Sequence, residues 1–440
     1  MRPPEARRPT RPFPGAREYA LRDVIRRRPE EPPIVLLPPD RDSTITFDLE
    51  DDIADEGVDT TMSFFQPFRL ERFFAEHEFS ARYLLCSSDC ETVETRELLA
   101  MEEGAAEAYL GQRLGYTETR GDPRLREDIA RLYRGIGAGD VFVHAGGEEA
   151  ILNACVAILS AGEHVVVNAP CYQSLAEVPR ALGCAVSPWQ FRSESGRWFL
   201  DPDELKRLLR PRTRLVILNT PHNPTGALLG RDEFNRIVEL CRASGCLLLV
   251  DEVYRYLETD ESRRLPAVCE AYENGVSLNV LSKSAGLAGL RIGWIATRRA
   301  DILDAIAVVK DYNSICSSAP SEFLAGVALR SFERLVARNR SIISSNLELL
   351  REFFGRRSDF AQWNEPEGGS IAFPRLVGGG AEGAGIDAEE VALRILRDAG
   401  VLLLPGAYYG YDPSHFRIGF GRANMPAALA ELDAWIERNT

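Results

Sequence analysis

From about residue 123 onward, short apolar runs alternate with stretches of helical period, and this alternation limits the possible fold more than any other feature. The runs EHVVVNAP (163–170), RLVILNTP (214–221), GCLLLVDE (245–252) and VSLNVLSK (276–283) are β-rich and end in polar residues. Helical segments such as RDEFNRIVELCRASG (231–245) lie between them, and DVFVHAGGEEAILNACVAIL (140–159) has the pattern of strand, tight Gly turn and helix. Strands separated by helices predict an α/β fold with a mostly parallel sheet flanked by helices. In such sheets ligands gather beyond the carboxyl ends of the strands. Three residues able to carry chemistry stand at those ends: Asn223, Asp251 and Lys283.

A chain of 440 residues is long for one core and predicts two closely joined domains. The large domain is expected over 111–325 and a smaller α/β domain over 326–440, with 62–110 joining the small domain. Residues 1–61 differ in composition, being rich in Arg and Pro at first (MRPPEARRPTRPFPGAR) and acidic later (DLEDDIADE, 48–56). Such a segment buries little apolar surface and predicts a disordered extension. After Met62, FFQPFRLERFFAEHEF (64–79) has the pattern of an amphipathic helix.

The formal charge of -14 weighs against nucleic acid as a partner. The Pro-rich start also lacks the apolar periodicity of a winged-helix domain, which a DNA-binding regulator would need. No apolar run approaches the roughly 18 residues that span a bilayer, so no membrane partner is expected. The nine cysteines include no C-x-x-C pair and predict reduced thiols in a cytoplasmic protein. Cys86 and Cys90 lie close in sequence, but no second pair completes a metal site.

Several motifs stand in an order that suits one chemistry. LSKSAGLAGLRIGW (281–294) sets Ser282 and Lys283 after an apolar run, with Arg291 eight positions on. A desolvated amine is a usable nucleophile or base, and a guanidinium fork suits a phosphate. VDEVYRYLE (250–258) ends a strand at Asp251, a buried carboxylate that needs a cationic partner. NTPHNPTG (219–226) is a Pro-rich turn carrying Asn223. HAGGEEAI (144–151) offers backbone N–H groups at a helix start, through Gly146 and Gly147. NAPCYQSL (168–175) carries Tyr172, YTETRGDPRLREDIA (116–130) carries Tyr116, and HFRIGFGR (415–422) carries Arg417. By themselves Tyr172 reads equally as a core residue and Tyr116 as a surface one.

Taken together, residues 64–440 resemble the class I/II aminotransferases, enzymes of pyridoxal 5′-phosphate (PLP) fold type I. The resemblance implies a seven-stranded, mostly parallel sheet in the large domain. It implies that Lys283 forms the Schiff base with PLP, that Asp251 pairs with the pyridine nitrogen, and that Tyr254 and Asn223 face the cofactor's 3′-oxygen. Arg291, Ser282, Gly146, Gly147 and Glu148 are then expected at the phosphate, although Glu148 stands where many relatives have Ser, Thr or Gln, and Val280 where a hydroxyl is common. Tyr172 is expected to stack on the ring. Tyr116 is expected to reach the phosphate of a second subunit, which implies a homodimer. Arg417 and Asn223 are expected to hold the substrate carboxylate, with His222 and Arg422 in packing roles. The implied reaction moves an amino group from an L-amino acid to a 2-oxo acid. Residues 79–92 lack the G-x-P-D run of many members. With KDYNSICSSAPSE (310–322), they are similar to members of the capreomycidine synthase type, which process arginine-like amino acids in specialised metabolism. A lyase, cyclase or oxidase is therefore the alternative.

Overall fold

A computed structural model describes residues 64–377 and 386–439. The expected extension over 1–61 lies outside the described residues. Helix α1 (Arg69–His77) opens the described chain. It is shorter than the expected helix over 64–79, because Pro67 disfavours helical backbone in the residue before it.

The central sheet has seven strands: β1 (Val141–His144), β2 (His164–Ala169), β3 (Ala185–Gln190), β4 (Thr213–Asn219), β5 (Leu247–Asp251), β6 (Gly275–Val280) and β7 (Gly293–Ala296). Their spatial order is β1-β7-β6-β5-β4-β2-β3. The neighbours from β6 across to β3 are parallel, and β7 runs antiparallel to both β6 and β1. Every residue of β5 and β6 is buried, since helices cover both faces. On one face pack α2 (Gly147–Ile158) and α3 (Ser174–Ala181), through Ile151, Ala154 and Leu175 against Val165, Ile217 and Leu249. On the other, α4 (Arg231–Ser244) places Phe234, Ile237 and Cys241 against Val216, Leu248 and Val250. Fully burying one such side chain contributes roughly 1.5–3 kcal/mol.

Two features of this topology build the cleft. Strands β4, β5 and β6 are adjacent and parallel, with Asn219 opposite Asp251 and Asp251 opposite Leu278, so their carboxyl ends open together. Strand β7 runs the other way and pairs Gly293 with both Val280 and His144. The start of β7 therefore meets the end of β1, which brings Arg291 beside Gly146.

The later chain forms α5 (Ala300–Asp311), α6 (Ala319–Arg330) and the long α7 (Phe332–Arg356). A three-stranded antiparallel sheet follows, in the order β8 (Ile371–Ala372), β10 (Phe416–Gly419), β9 (Leu404–Pro405). Helices α8 (Ala388–Ala399) and α9 (Met425–Asn439) pack on it with α7, sharing Leu347, Leu350, Ile395, Ile418, Leu432 and Trp435. Gly419 lies where a Cβ would stand 1.8 Å from the Ser87 carbonyl oxygen, so only glycine lets residues 85–90 run against β10. Among the described residues, no helix is long and apolar enough to cross a membrane.

Candidate active site

The carboxyl ends of β4, β5 and β6, the head of α2, helix α1 and strand β10 surround a cavity of about 210 Å³. Ten of the candidate residues line it: Gly147, Glu148, Tyr172, Asn223, Asp251, Tyr254, Ser282, Lys283, Arg291 and Arg417. Gly146 sits just behind, as the residue preceding α2. Tyr116 is elsewhere in this chain and is 91% exposed.

Lys283 is three residues past β6, and its Nζ donates to Ser88 Oγ at 2.8 Å. Burial holds the amine below its ordinary pKa, opposed by the Asp89 charge and reinforced by Arg417. Its Nζ also stands 5.8 Å from the centre of the Tyr254 ring. Asp251 ends β5 and is 5% exposed. One of its carboxylate oxygens accepts only the Val253 N–H, at 3.2 Å, and burial pushes the acid up to about 6.

Asn223 is held by a relay of amides. Asn168 Oδ1 accepts from Asn219 N at 2.8 Å, and Asn219 Oδ1 accepts from Asn223 N at 2.7 Å. Its side-chain oxygen then accepts from Tyr409 OH at 3.0 Å and Arg417 Nη1 at 3.3 Å. Arg417, in β10 and 2% exposed, also donates from Nη1 to Tyr409 OH at 2.5 Å and from Nε to the Cys86 carbonyl at 3.0 Å. A buried guanidinium that is fixed on three sides by neutral acceptors keeps its full charge for an anion.

At the other end, Gly146 has φ +91°, and a Cβ there would stand 2.5 Å from Arg291 Nη2. Arg291 itself has φ +51°, a left-handed conformation that is costly for a side-chain-bearing residue. That backbone turn lays the guanidinium across the glycine turn, facing the unpaired N–H groups at the start of α2. A forked cation over a helix N-terminus is an anion cradle. Glu148 is open to the solvent of the cleft, but protein crowds it elsewhere. That desolvation, with Glu71 nearby, pushes its carboxyl up to about 7. Its Oε2 accepts from Ser174 Oγ at 3.1 Å.

His222 is buried, stacks on Phe191, donates from Nε2 to the Pro170 carbonyl (2.8 Å) and accepts at Nδ1 from Thr225 Oγ1 (2.7 Å), which leaves it a packing residue. Arg422 grips Asp89 through two contacts of 3.0 and 2.9 Å. Four lining or bracing residues are absent from the sequence reading: Ser88, Glu71, Phe74 and Tyr409. Helical period alone puts Leu70, Glu71 and Phe74 on one face of α1, and that was the available signal. For Ser88 and Tyr409 only the tertiary contacts reveal a place in the site.

The donor set fits PLP. A forked cation and free N–H groups suit its phosphate, a buried carboxylate suits its pyridine nitrogen, and an amine of lowered pKa suits its aldehyde. Comparison with known proteins agrees. Residues 84–432 match the family model for aminotransferase class I and II. Capreomycidine synthase of Streptomyces vinaceus is 30% identical over 371 residues, covering 82% of this chain and 92% of that protein. Arginine–pyruvate transaminase of Pseudomonas aeruginosa is 30% identical over 336 residues, covering 72% and 80%. The crystal structure of a PLP-dependent aminotransferase from Streptococcus suis superimposes with a TM-score of 0.79 at 29% identity, covering 85% of this chain and 98% of that one.

Fold and site thus define a PLP enzyme of fold type I. The chain belongs to the class I and II aminotransferases and is a PLP-dependent transaminase, acting on an amino acid and a 2-oxo acid.

Proposed function

We propose that Lys283 holds the cofactor and moves the proton at the substrate Cα, that Arg417 and Asn223 fix the substrate carboxylate, and that the enzyme works as a homodimer in the cytoplasm. The observation that carries this reading is the meeting of Lys283, Asp251, Asn223, Arg291 and Arg417 around one cavity.

Bound there, PLP supplies an electron sink that stabilises negative charge at Cα. The protein's part is to orient and to move protons. Arg417 and the Asn223 amide clamp the carboxylate and so set which Cα bond faces the sink. Lys283, with its pKa lowered by burial, takes the proton from Cα and returns it one position away. Asp251 would keep a proton on the ring nitrogen, Tyr254 and Asn223 would serve the ring oxygen, and Tyr172 would cover the ring. Arg291, Ser282 and the backbone N–H groups of Gly147 and Glu148 would hold the phosphate. Residues 62–110 and 326–440 form the smaller domain that closes on 111–325 and excludes water.

A dimer is supported by exposed apolar side chains on two neighbouring segments: Leu110, Leu114 and Tyr116 on one, Tyr312 and Ile315 on the other. Gln112 Nε2 and Thr117 Oγ1 tie the segments together at the Ala319 and Ser317 carbonyls, each at 3.0 Å. A second copy would cover this surface and set Tyr116 of the partner subunit at the phosphate. Nine unpaired cysteines suit a reducing compartment.

A second reading, elimination or cyclisation, is favoured by the Ser88 hydroxyl on Lys283 Nζ, which adds a proton carrier at the reacting atom. One experiment separates them: absorbance of the holoenzyme with L-amino acids and no 2-oxo acid. Release of keto acid with conversion to the pyridoxamine form supports transamination. Ammonia release or oxygen uptake without that form supports the second reading. Lys283→Ala should abolish both the cofactor band and turnover, and a variant that keeps them removes Lys283 from its role.

A further inference from the structure

Resting on that reading of the site, four of the six charged side chains lining the cavity have work to do: Lys283, Asp251, Arg291 and Arg417. Glu71 and Glu148 remain. Among the described residues their hydrogen-bond partners are neutral hydroxyls, Tyr172 OH at 3.1 Å for Glu71 and Ser174 Oγ at 3.1 Å for Glu148, and neither forms an ion pair. Glu148 is close to the phosphate cradle. Glu71 lies on α1, one turn before Phe74, close enough to Glu148 for the two charges to repel.

The place of Glu71 relative to the carboxylate clamp is informative. The Arg417 guanidinium carbon is 5.8 Å from the centre of the Phe74 ring. Residues three apart on a helix are roughly 5–6 Å apart at Cβ. Phe74 and Glu71 thus line the same cavity as Arg417, within reach of the side chain of a substrate anchored there by its carboxylate. Phe74 offers an apolar face for a methylene chain, and Glu71 a carboxylate with an unspent charge. The Glu71 side chain is also braced, since Tyr172 OH fixes one oxygen, and α1 is tied down by Gln173 through Arg69 N (2.9 Å) and the Pro67 carbonyl (3.0 Å). An acidic or neutral tip there would leave Glu71 repelled or unpaired.

We propose that Glu71 is the specificity-determining residue of this site and selects an L-amino acid whose side chain ends in a guanidinium or ammonium group. A charge-assisted contact in a partly enclosed cleft supports discrimination of about 100-fold against a neutral isostere.

The test uses holoenzyme and two pairs of side chains, arginine against its uncharged isostere citrulline, and lysine against norleucine. Single-turnover kcat/KM is measured for each, and calorimetry gives the Kd of α-methyl-L-arginine and α-methyl-L-citrulline, which have no Cα hydrogen to lose. Wild type should favour the cation of at least one pair by about 100-fold, and which pair responds tells guanidinium from ammonium. Glu71→Gln should erase that preference by weakening the cation alone, with citrulline and the cofactor absorbance unchanged. Equal handling of cation and isostere by wild type, or equal loss of both in Glu71→Gln, would overturn the proposal. If no amino acid turns over while the binding preference and its loss in Glu71→Gln persist, the transamination reading fails and the role of Glu71 stands.

Discussion

Lys310 Nζ lies 2.8 Å from Glu149 Oε2, in a pair whose lysine is fully buried. Glu149 is the third residue of α2, and its Oε2 also accepts the Ala145 N–H at 2.5 Å. Lys310 donates to Ser314 Oγ at 2.8 Å, which anchors the turn where Ile315 has φ +64°. The pair thus pins the turn that carries Gly146 and Gly147 from behind. Breaking a buried pair from one side costs about 3–5 kcal/mol, whereas replacing both charges is far milder. Lys310→Met should destabilise the protein by about that amount and weaken PLP binding, and adding Glu149→Gln should restore much of both. Denaturant unfolding and PLP titration check this, and a single variant with unchanged PLP affinity would leave the pair purely structural.

Ser88 reaches Lys283 because Ser370 Oγ donates to its carbonyl at 2.8 Å and Gly419 leaves room for the segment. Ser88→Ala removes one hydrogen bond at the Lys283 amine, worth about 1 kcal/mol. The half-reaction should slow roughly 5- to 10-fold while the cofactor band and substrate Kd stay in place. A rate equal to wild type would reduce Ser88 to packing.

Burial pushes Asp251 up to about 6 from 3.8, so between those values the native apoprotein binds more protons than the unfolded chain. Its contribution to stability is fully present below pH 3.8 and is lost as pH rises through about 6. Apoprotein melting curves from pH 5 to 7.5 should therefore show wild type losing stability relative to Asp251→Asn. The pyridinium of bound PLP should stabilise the carboxylate and flatten that difference. Parallel curves for wild type and Asp251→Asn apoprotein would contradict the assignment.

Arg417 and Tyr409 are joined at 2.5 Å, and both are buried. Arg417→Ala should raise KM or substrate Kd by at least about 100-fold, the usual scale for losing a buried charged contact, with PLP affinity little changed. Tyr409→Phe should have a smaller effect in the same direction, near 10-fold. Equal loss of PLP and substrate binding in Arg417→Ala would move Arg417 out of its role.

Strand and helix positions were legible because burial on both faces writes itself into local sequence. VVVNA, LVILN, LLLVD and VSLNV are the strands β2, β4, β5 and β6, and RDEFNRIVELCRAS is α4. Residues at strand ends were legible for the same reason, since Asp251 and the Lys283 turn follow directly from their runs. Helix limits were less so: the helix expected over 64–79 begins only at Arg69, after Pro67, and ends at His77. The sequence determined the parallel sheet, the place of Lys283 just past a buried strand and the order of the motifs, because each depends on neighbours within one element. Only the tertiary structure decided that antiparallel β7 lays Arg291 on Gly146, that Ser88 meets Lys283 across 195 positions, that Tyr409 braces Asn223 across 186, and that Glu71 faces the cleft. Those contacts join segments far apart in the chain, and their geometry is fixed by how the elements pack.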